Sequence, residues 1–127
     1  MMKALLLFIL LTLISSGAYA ELPSATDTMV KQTLASGIPS VIDLGARTCI
    51  PCKKMAPILE GLSGEYHGKA NVLFIDVWEN KAAAEKFRVQ MIPTQIFFDA
   101  KGNEVKRHIG FMDKPDIVKG LKAAGLK

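Results

Sequence analysis

Two short apolar runs, each followed by a segment with helical periodicity, place the strongest constraint on the fold of this chain. Residues 40–46 and 71–77 are mostly apolar, which is typical of strands covered on both faces of a sheet. Residues 53–66 and 79–87 follow them and carry apolar side chains at helical spacing. This order of strand, helix, strand and helix predicts parallel pairing of the two strands with a right-handed crossover.

The flanking segments complete an α/β domain. Residues 26–36 predict a helix before the first strand, and residues 113–124 predict a closing helix. Residues 94–99 and 104–110 flank a turn that contains Gly102, so we expect them to form an antiparallel hairpin. The expected architecture is a central mixed sheet of about four to five strands flanked by helices. Pro57 lies inside the second helical segment, where we expect a kink.

Residues 1–20 have the features of an export signal. Lys3 supplies a basic start, residues 4–14 are apolar, and the segment ends in Ala18-Tyr19-Ala20, which fits a signal-peptidase site. The apolar run is shorter than the roughly 20 residues that a helix needs to cross a bilayer. This favours a signal peptide cleaved near Ala20 over a retained anchor. We therefore expect residues 21–127 to form one domain that works in the periplasm or is otherwise exported.

Charge and cysteine content exclude two other classes of protein. The net charge of +4 comes from scattered basic residues with few aromatic residues between them, so nucleic-acid binding is not predicted. With only two cysteines, the chain is not a small scaffold held together by disulfides. A disulfide that closes a ring over two intervening residues would also remove little entropy from the unfolded chain. The cysteine pair therefore indicates chemistry.

The two cysteines, Cys49 and Cys52, are spaced as C-x-x-C between the first predicted strand and the helix that follows it. The attacking group in disulfide exchange is a thiolate, and the first turn of a helix stabilises the anion. We expect Cys49 to be the more exposed, attacking residue and Cys52 to resolve the mixed disulfide. No cofactor is expected beyond the redox-active disulfide Cys49–Cys52.

Two further residues are candidates for the site. Asp43 interrupts the first apolar run, where burial would raise its pKa and let it exchange protons with a nearby thiol. An exposed position at the end of the strand is the alternative for Asp43. Pro93 precedes a predicted strand, but only about one X-Pro bond in twenty is cis, so spacing alone does not assign its isomer.

Together these residues resemble the thioredoxin family over about residues 26–125. The matching residues are Cys49-Ile50-Pro51-Cys52-Lys53, Ala56-Pro57-Ile58-Leu59, Asp43 and Ile92-Pro93-Thr94. The resemblance implies a thioredoxin-like fold with Cys49 as nucleophile, Cys52 as resolving thiol and Asp43 as buried proton acceptor. It also implies that Pro93 is a cis-proline beside the disulfide and that backbone at Ile92 pairs with an extended substrate. The remaining expected substrate contacts are Thr48, Ile50 and Pro51.

The chain departs from the family at four positions. Thr48 and Gly45 stand where tryptophans are usual, and Ile50 replaces a glycine. Val72 falls about where the family keeps a buried lysine near the aspartate. These departures concern the redox potential and the partner surface, and we expect Thr48 and Ile50 to decide partner choice. Pro51 resembles the reducing members of the family, which favours a reductase.

The resulting hypothesis is an exported, monomeric thiol-disulfide oxidoreductase that reduces disulfides of periplasmic proteins. The family resemblance implies a membrane electron-transfer partner that regenerates the dithiol. Two alternatives stay open: a disulfide oxidase or isomerase, and a non-catalytic module that binds copper or zinc through the same dithiol. The only histidines, His67 and His108, do not have the spacing of a zinc motif, so no metal site is predicted.

Overall fold

The structure, a computed structural model, describes residues 21–127, and the predicted signal peptide lies outside these residues. The elements in chain order are α1 (Asp27–Leu34), β1 (Ser40–Gly45), α2 (Ile50–Glu65), β2 (Asn71–Asp76), α3 (Lys81–Lys86), β3 (Thr94–Phe98), β4 (Glu104–Ile109) and α4 (Lys114–Ala123). Among residues 21–127, no helix combines the length and the hydropathy needed to cross a membrane.

In the described part of the chain, the strands form one mixed sheet of four strands in the order β2-β1-β3-β4. Strand β1 pairs in parallel with β2 and antiparallel with β3. Strands β3 and β4 form the predicted antiparallel hairpin. All six residues of β1 are buried, which agrees with a central strand covered on both faces. The predicted α/β architecture is confirmed.

Helix α2 begins three residues earlier than the predicted start at residue 53. Cys49 is its N-cap, and Pro51 lies in its first turn. A proline is well tolerated there because its missing N–H would have no intrahelical partner anyway. The prediction was wrong because the C-x-x-C segment was assigned to a turn before the helix. The helix continues through Pro57 to Glu65.

The other three helices begin at polar cap residues. In each, the cap side chain accepts a hydrogen bond from a backbone N–H of the first turn, which satisfies a donor that has no partner within the helix. The cap residues are Thr26 for α1, Asn80 for α3 and Asp113 for α4. These caps fix the helix starts close to their predicted positions.

A hydrophobic core lies on each face of the sheet. One core is formed with α2 and α4, and its fully buried members are Val41, Met55, Leu59, Leu62, Phe97, Ile117 and Leu121. The other is formed with α1 and α3, and it contains Val30, Ile42, Leu44, Ile75, Ala83 and Ile96. Because side chains alternate along a strand, Asp43 and Gly45 face the same side as Val41, which is the side that α2 covers. The candidate carboxyl group and the C-x-x-C helix therefore share one face of the sheet.

Candidate active site

Cys49 and Cys52 are joined by a disulfide bond at the start of α2, with their Cα atoms 5.1 Å apart. Cys49 is half-buried, whereas Cys52 in the first turn is only 4% exposed. The prediction that Cys49 is the more exposed partner is confirmed. The unpaired amides of the helix start lie next to these sulfurs, and Lys53 and Lys54 follow at once. A thiolate formed here on reduction is therefore in a favourable field.

Gly45 lets the Cys52 sulfur approach β1 closely. A Cβ atom at Gly45 would lie 3.1 Å from Cys52 Sγ and 3.4 Å from Cε2 of Phe74. Both distances are at or below ordinary van der Waals contact. Gly45 stands where the family usually has tryptophan, and here a large side chain would not fit, because Phe74 and Cys52 already fill the space next to β1.

Asp43 is fully buried on the face that α2 covers. Its Oδ1 accepts a hydrogen bond of 2.9 Å from Gln95 Nε2, and its Oδ2 has no hydrogen-bond partner. Desolvation by burial raises the pKa of Asp43 from its ordinary value of 3.8 to about 7, against the smaller, opposite effect of the Gln95 hydrogen bond. The alternative of an exposed aspartate at the strand end is excluded. Asp43 precedes Gly45 by two residues, so their Cα atoms are roughly 7 Å apart along β1.

The register between β1 and β2 corrects the expectation for Val72. Asp43 is opposite Phe74, and Val72 is opposite Val41. Val72 is therefore not the neighbour of Asp43 on β2, which could not be read from the strand boundaries because they do not fix the parallel register. The neighbour of Asp43 on β2 is an apolar ring, and this strand brings no positive charge to the carboxyl.

The loop before β3 places Pro93 beside the disulfide end of the sheet. The Ile92–Pro93 peptide bond is cis, and Pro93 is buried. Two hydrogen bonds hold the loop: Thr94 Oγ1 donates to the carbonyl of Met91 at 2.6 Å, and the N–H of Gly110 donates to the carbonyl of Pro93 at 2.7 Å. Thr94 pairs with residue 44 near the end of β1. Pro93 and the C-x-x-C segment, which begins just beyond β1, therefore lie at the same edge of the sheet.

Large apolar side chains are exposed at this edge. We refer to five of them as the apolar rim; each is between 44% and 72% exposed, and they are Ile50, Trp78, Met91, Ile109 and Phe111. Ile50 follows Cys49, Trp78 lies shortly after β2, and Met91 comes just before the Ile92–Pro93 bond. Ile109 and Phe111 flank Gly110, whose N–H donates to the carbonyl of Pro93. The apolar rim is therefore a candidate interaction surface. Of the other expected contacts, Thr48 is exposed, and Pro51 and Ile92 are half-buried.

Sequence reasoning missed three residues of this region. The rim residues Ile109 and Phe111 could have been found from the hairpin register, because Ile109 pairs with Thr94 at the start of β3. Gln95 was also missed, although a glutamine inside an apolar strand is a signal in itself. The antiparallel register places it directly opposite Asp43.

Arg47 covers the outer side of the site. Its guanidinium lies 4.9 Å from the centre of the Phe74 ring and forms hydrogen bonds of 2.9 Å with Glu21 Oε2 and the carbonyl of Leu22. Beneath it lies a cavity of about 20 Å³ that Cys52 also lines. A cavity of this size has room for about one water molecule.

Within residues 21–127, no group of three or more histidine, cysteine, aspartate or glutamate side chains is arranged to bind a metal ion. His67 is exposed. His108 is half-buried, and its Nε2 atom lies 3.1 Å from the carbonyl oxygen of Phe111. The geometry of the histidines thus gives no support to the metal-binding alternative.

An accessible sulfur paired with a buried one can pass its disulfide to another dithiol, or receive one, and this is the chemistry of the thiol-disulfide oxidoreductases. Comparison with known proteins agrees with this class. The sequence model of the family described as Thioredoxin matches residues 22–123. The chain belongs to the thioredoxin family.

Relatives and solved structures support the assignment. The chain is 43% identical over 97 residues to the thioredoxin of Staphylococcus saprophyticus, which covers 76% of this chain and 91% of the relative. It is 40% identical over 96 residues to a thioredoxin of Staphylococcus aureus, with 76% and 90% covered. A mutant thioredoxin from Halobacterium salinarum superimposes with a TM-score of 0.72 at 26% identity, covering 84% of this chain and 91% of that one. Chloroplastic thioredoxin z gives 0.70 at 26% identity, with 83% and 95% covered.

Proposed function

We propose that this protein is an exported reductase of protein disulfides in which Cys49 attacks the substrate and Cys52 resolves the mixed disulfide. The observation that carries this proposal is the unequal burial of the two sulfurs at the start of α2, with Cys49 half-buried and Cys52 4% exposed. An incoming disulfide meets Cys49 first. Cys52 is positioned to act only within the complex.

The reaction starts from the reduced protein. The Cys49 thiolate attacks one sulfur of the substrate disulfide, a Cys49–substrate bond forms, and the other substrate sulfur leaves as a thiolate. Cys52 then loses its proton and attacks Cys49 Sγ, which releases the second substrate sulfur. The substrate disulfide gains two electrons, and the dithiol is oxidised to the Cys49–Cys52 disulfide.

Asp43 is the proposed acceptor of the Cys52 proton. A base is most effective when its pKa lies near the working pH, and the pKa of Asp43 is raised to about 7. Its carboxyl shares the α2-covered face of β1 with the contact between Gly45 and Cys52. Because the Cα atoms of Asp43 and Gly45 are roughly 7 Å apart along the strand, we propose that one bridging water carries the proton in this step.

Substrate binding is assigned to the apolar rim and the cis-proline loop. The exposed side chains of Ile50, Met91 and Ile109 offer apolar contact at the edge of the sheet where the disulfide lies. Backbone at Ile92 lies at the edge of the loop and is proposed to pair with an extended segment of the substrate, as in β-augmentation. Thr48 and Pro51 border the same opening. The substrate class that fits this surface is a protein disulfide in an extended segment with apolar neighbours.

The proposal of export is based on the sequence of the first twenty residues. The basic start, apolar run and Ala18-Tyr19-Ala20 ending support delivery of residues 21–127 to the periplasm after cleavage near Ala20. In that compartment the dithiol needs a source of electrons, for which we propose a membrane electron-transfer partner. We propose that the protein works as a monomer.

A turnover assay tests the assignment of roles. The full-length mature chain, with dithiothreitol as electron source, should reduce insulin disulfides, and Cys49→Ser should abolish this activity. The matched variant Cys52→Ser should retain the first attack but stop at the mixed disulfide. A Cys49→Ser protein that still reduced insulin would contradict the proposal.

The direction of the reaction is tested by the redox potential. Equilibration of the Cys49–Cys52 pair with glutathione buffers should give a potential below about −200 mV, because a reductase must lie below the poise of an oxidising compartment. A potential near that of a strong oxidant, about −120 mV, would assign the protein to the oxidases instead.

A further inference from the structure

Gln95 is a fully buried amide that the exchange reaction as described does not use. Other buried polar groups of the described chain have a structural role: Asp76 accepts three backbone N–H groups, and Thr94 holds the loop before β3. The side chain of Gln95 makes a single hydrogen bond, and its partner is Asp43. A glutamine in the centre of a sheet needs a reason, because burying an amide is costly when its atoms lack partners.

The pair is built by the sheet register. Asp43 on β1 and Gln95 on β3 are directly opposite each other, so their side chains leave the sheet on the same face. Gln95 Nε2 donates to Asp43 Oδ1 at 2.9 Å, and both residues are fully buried. Asp43 Oδ2 and Gln95 Oε1 have no hydrogen-bond partner. The amide N–H is thus the one hydrogen bond that the described chain offers to this carboxyl group.

The groups around the pair supply no cation. On β2 the neighbour of Asp43 is Phe74, and on α2 the nearby titratable group is Cys52. On β4 the register neighbour of Gln95 is His108, which is half-buried and lies one strand further from the carboxyl than Gln95 does. Helix α4 contributes the apolar side chains of the same core. An ionised Asp43 therefore depends on the amide donor.

We propose that Gln95 is a positioning residue for disulfide exchange: its amide N–H stabilises the ionised form of Asp43, so that Asp43 can take the proton of Cys52. This inference rests on the proposed function, in which Asp43 is the proton acceptor. A carboxyl group in an apolar site without a donor stays protonated and cannot act as a base. The hydrogen bond from Gln95 lowers the pKa of Asp43 against the larger effect of burial, which is the direction that this role requires.

The test compares the resolving step in the full-length mature protein and in Gln95→Met, which keeps the length of the side chain and removes the donor. The reduced protein is mixed with 5,5′-dithiobis(2-nitrobenzoate), and stopped-flow absorbance follows release of the second thiolate, which requires Cys52. In Gln95→Met the pH midpoint of this step should move up by about one pH unit, with a loss of rate of about fivefold at pH 7. The rate should recover at alkaline pH.

Two control variants separate the possible outcomes. Asp43→Asn should remove the pH dependence near neutrality, whereas His108→Asn should leave it unchanged. If Asp43→Asn removes it and Gln95→Met leaves the midpoint where it was, the role of Gln95 is overturned and the proposed function stands. If Asp43→Asn keeps the full pH dependence, the role of Asp43 itself is wrong.

A second substitution tests whether the effect of replacing Gln95 is purely structural. Gln95→Leu should fold and show the same alkaline shift as Gln95→Met, since it removes an amide whose oxygen has no partner. If both variants fail to fold, or if both lose rate equally at all pH values, Gln95 is a structural residue and the proposal is overturned.

Discussion

At the scale of single residues, the buried carboxyl group of Asp43 has a pKa far from its ordinary value. It faces the ring of Phe74 on one neighbouring strand and the amide of Gln95 on the other. Burial raises its pKa to about 7, so at neutral pH about half of the folded molecules hold a proton on Asp43, whereas an exposed aspartate would be ionised. Below neutral pH the folded protein therefore binds a proton that the unfolded chain releases.

The stability of the protein should record this proton. Because the folded pKa of about 7 lies above the ordinary value of 3.8, the contribution of Asp43 is complete below pH 3.8 and is lost as the pH rises through 7. Asp43→Asn, which cannot ionise, should be more stable than the parent at pH 8, by at most about 4 kcal/mol, and similar at pH 4. Urea unfolding at both pH values measures the difference. Asp27→Asn, at an exposed site, is the control, and an equal gain there would contradict the assignment.

At the scale of secondary-structure elements, the close packing of α4 on the sheet depends on Gly120. A Cβ atom added to Gly120 would overlap the ring of Phe97, which is fully buried in β3. Gly61 in α2 lies at a position where an added Cβ would meet no atom within 4 Å. Gly120 and Gly61 thus offer a matched pair of helical glycines, one in contact with the sheet and one in open space.

Replacement of each glycine by alanine should change stability in opposite directions. Gly61→Ala should raise the free energy of unfolding by about 0.5–1 kcal/mol, because alanine is the better helix former. Gly120→Ala gains the same propensity but forces Phe97 or α4 to move, at a cost of about 1–3 kcal/mol, so the net effect should be destabilising. Thermal unfolding of both variants checks this. A stabilised Gly120→Ala variant would show that α4 is not held as closely as described.

Helix α2 shows where element prediction succeeded and where it failed. Its apolar spacing predicted the helix, yet the first turn was missed because Ile50-Pro51 carries no periodic signal of its own. That turn matters for function, since it makes Cys49 the N-cap and buries Cys52. Pro51, two residues after Cys49, is typical of the first helical turn, and on this ground the helix start could have been predicted earlier in the chain.

At the scale of the whole molecule, the order of helices and strands could be predicted from the spacing of apolar residues. The residues that lie opposite each other on neighbouring strands could not. Alternation along β1 shows which face Asp43 occupies, while nothing in the spacing shows that Phe74 or Gln95 is opposite it. Register depends on the turns and on the packing of both cores together. The cysteines, Pro93 and Ile50 were found from sequence, whereas Gln95 and the rim residues Ile109 and Phe111 were not, because their place at the site depends on register.

The segment before α1 is held against residues next to the active site by hydrogen bonds. Arg47 stacks on Phe74 and binds Glu21 and the carbonyl of Leu22, while Ser24 pairs with Phe74 along β2. This arrangement joins the start of the described chain to the segment that leads into Cys49.

Two substitutions should separate the charge pair from the rest of this attachment. Arg47→Ala should destabilise the protein by about 1–2 kcal/mol, because it removes the contact with the Phe74 ring and the hydrogen bond to a half-buried carbonyl. Glu21→Gln should cost less than about 0.5 kcal/mol, since the ion pair is solvent-exposed. Denaturant unfolding of both variants gives the comparison, and equal losses would show that the ion pair dominates.

The central claim is that exchange begins at Cys49, and trapping of the mixed disulfide tests it most directly. Cys52→Ser and Cys49→Ser proteins are each incubated with the same disulfide-bonded substrate, and intact-mass spectrometry measures the covalent adduct. Cys52→Ser should accumulate an adduct at Cys49, and Cys49→Ser should form little or none, because its remaining sulfur is buried. Equal adduct formation at Cys52 in the Cys49→Ser protein would contradict the claim.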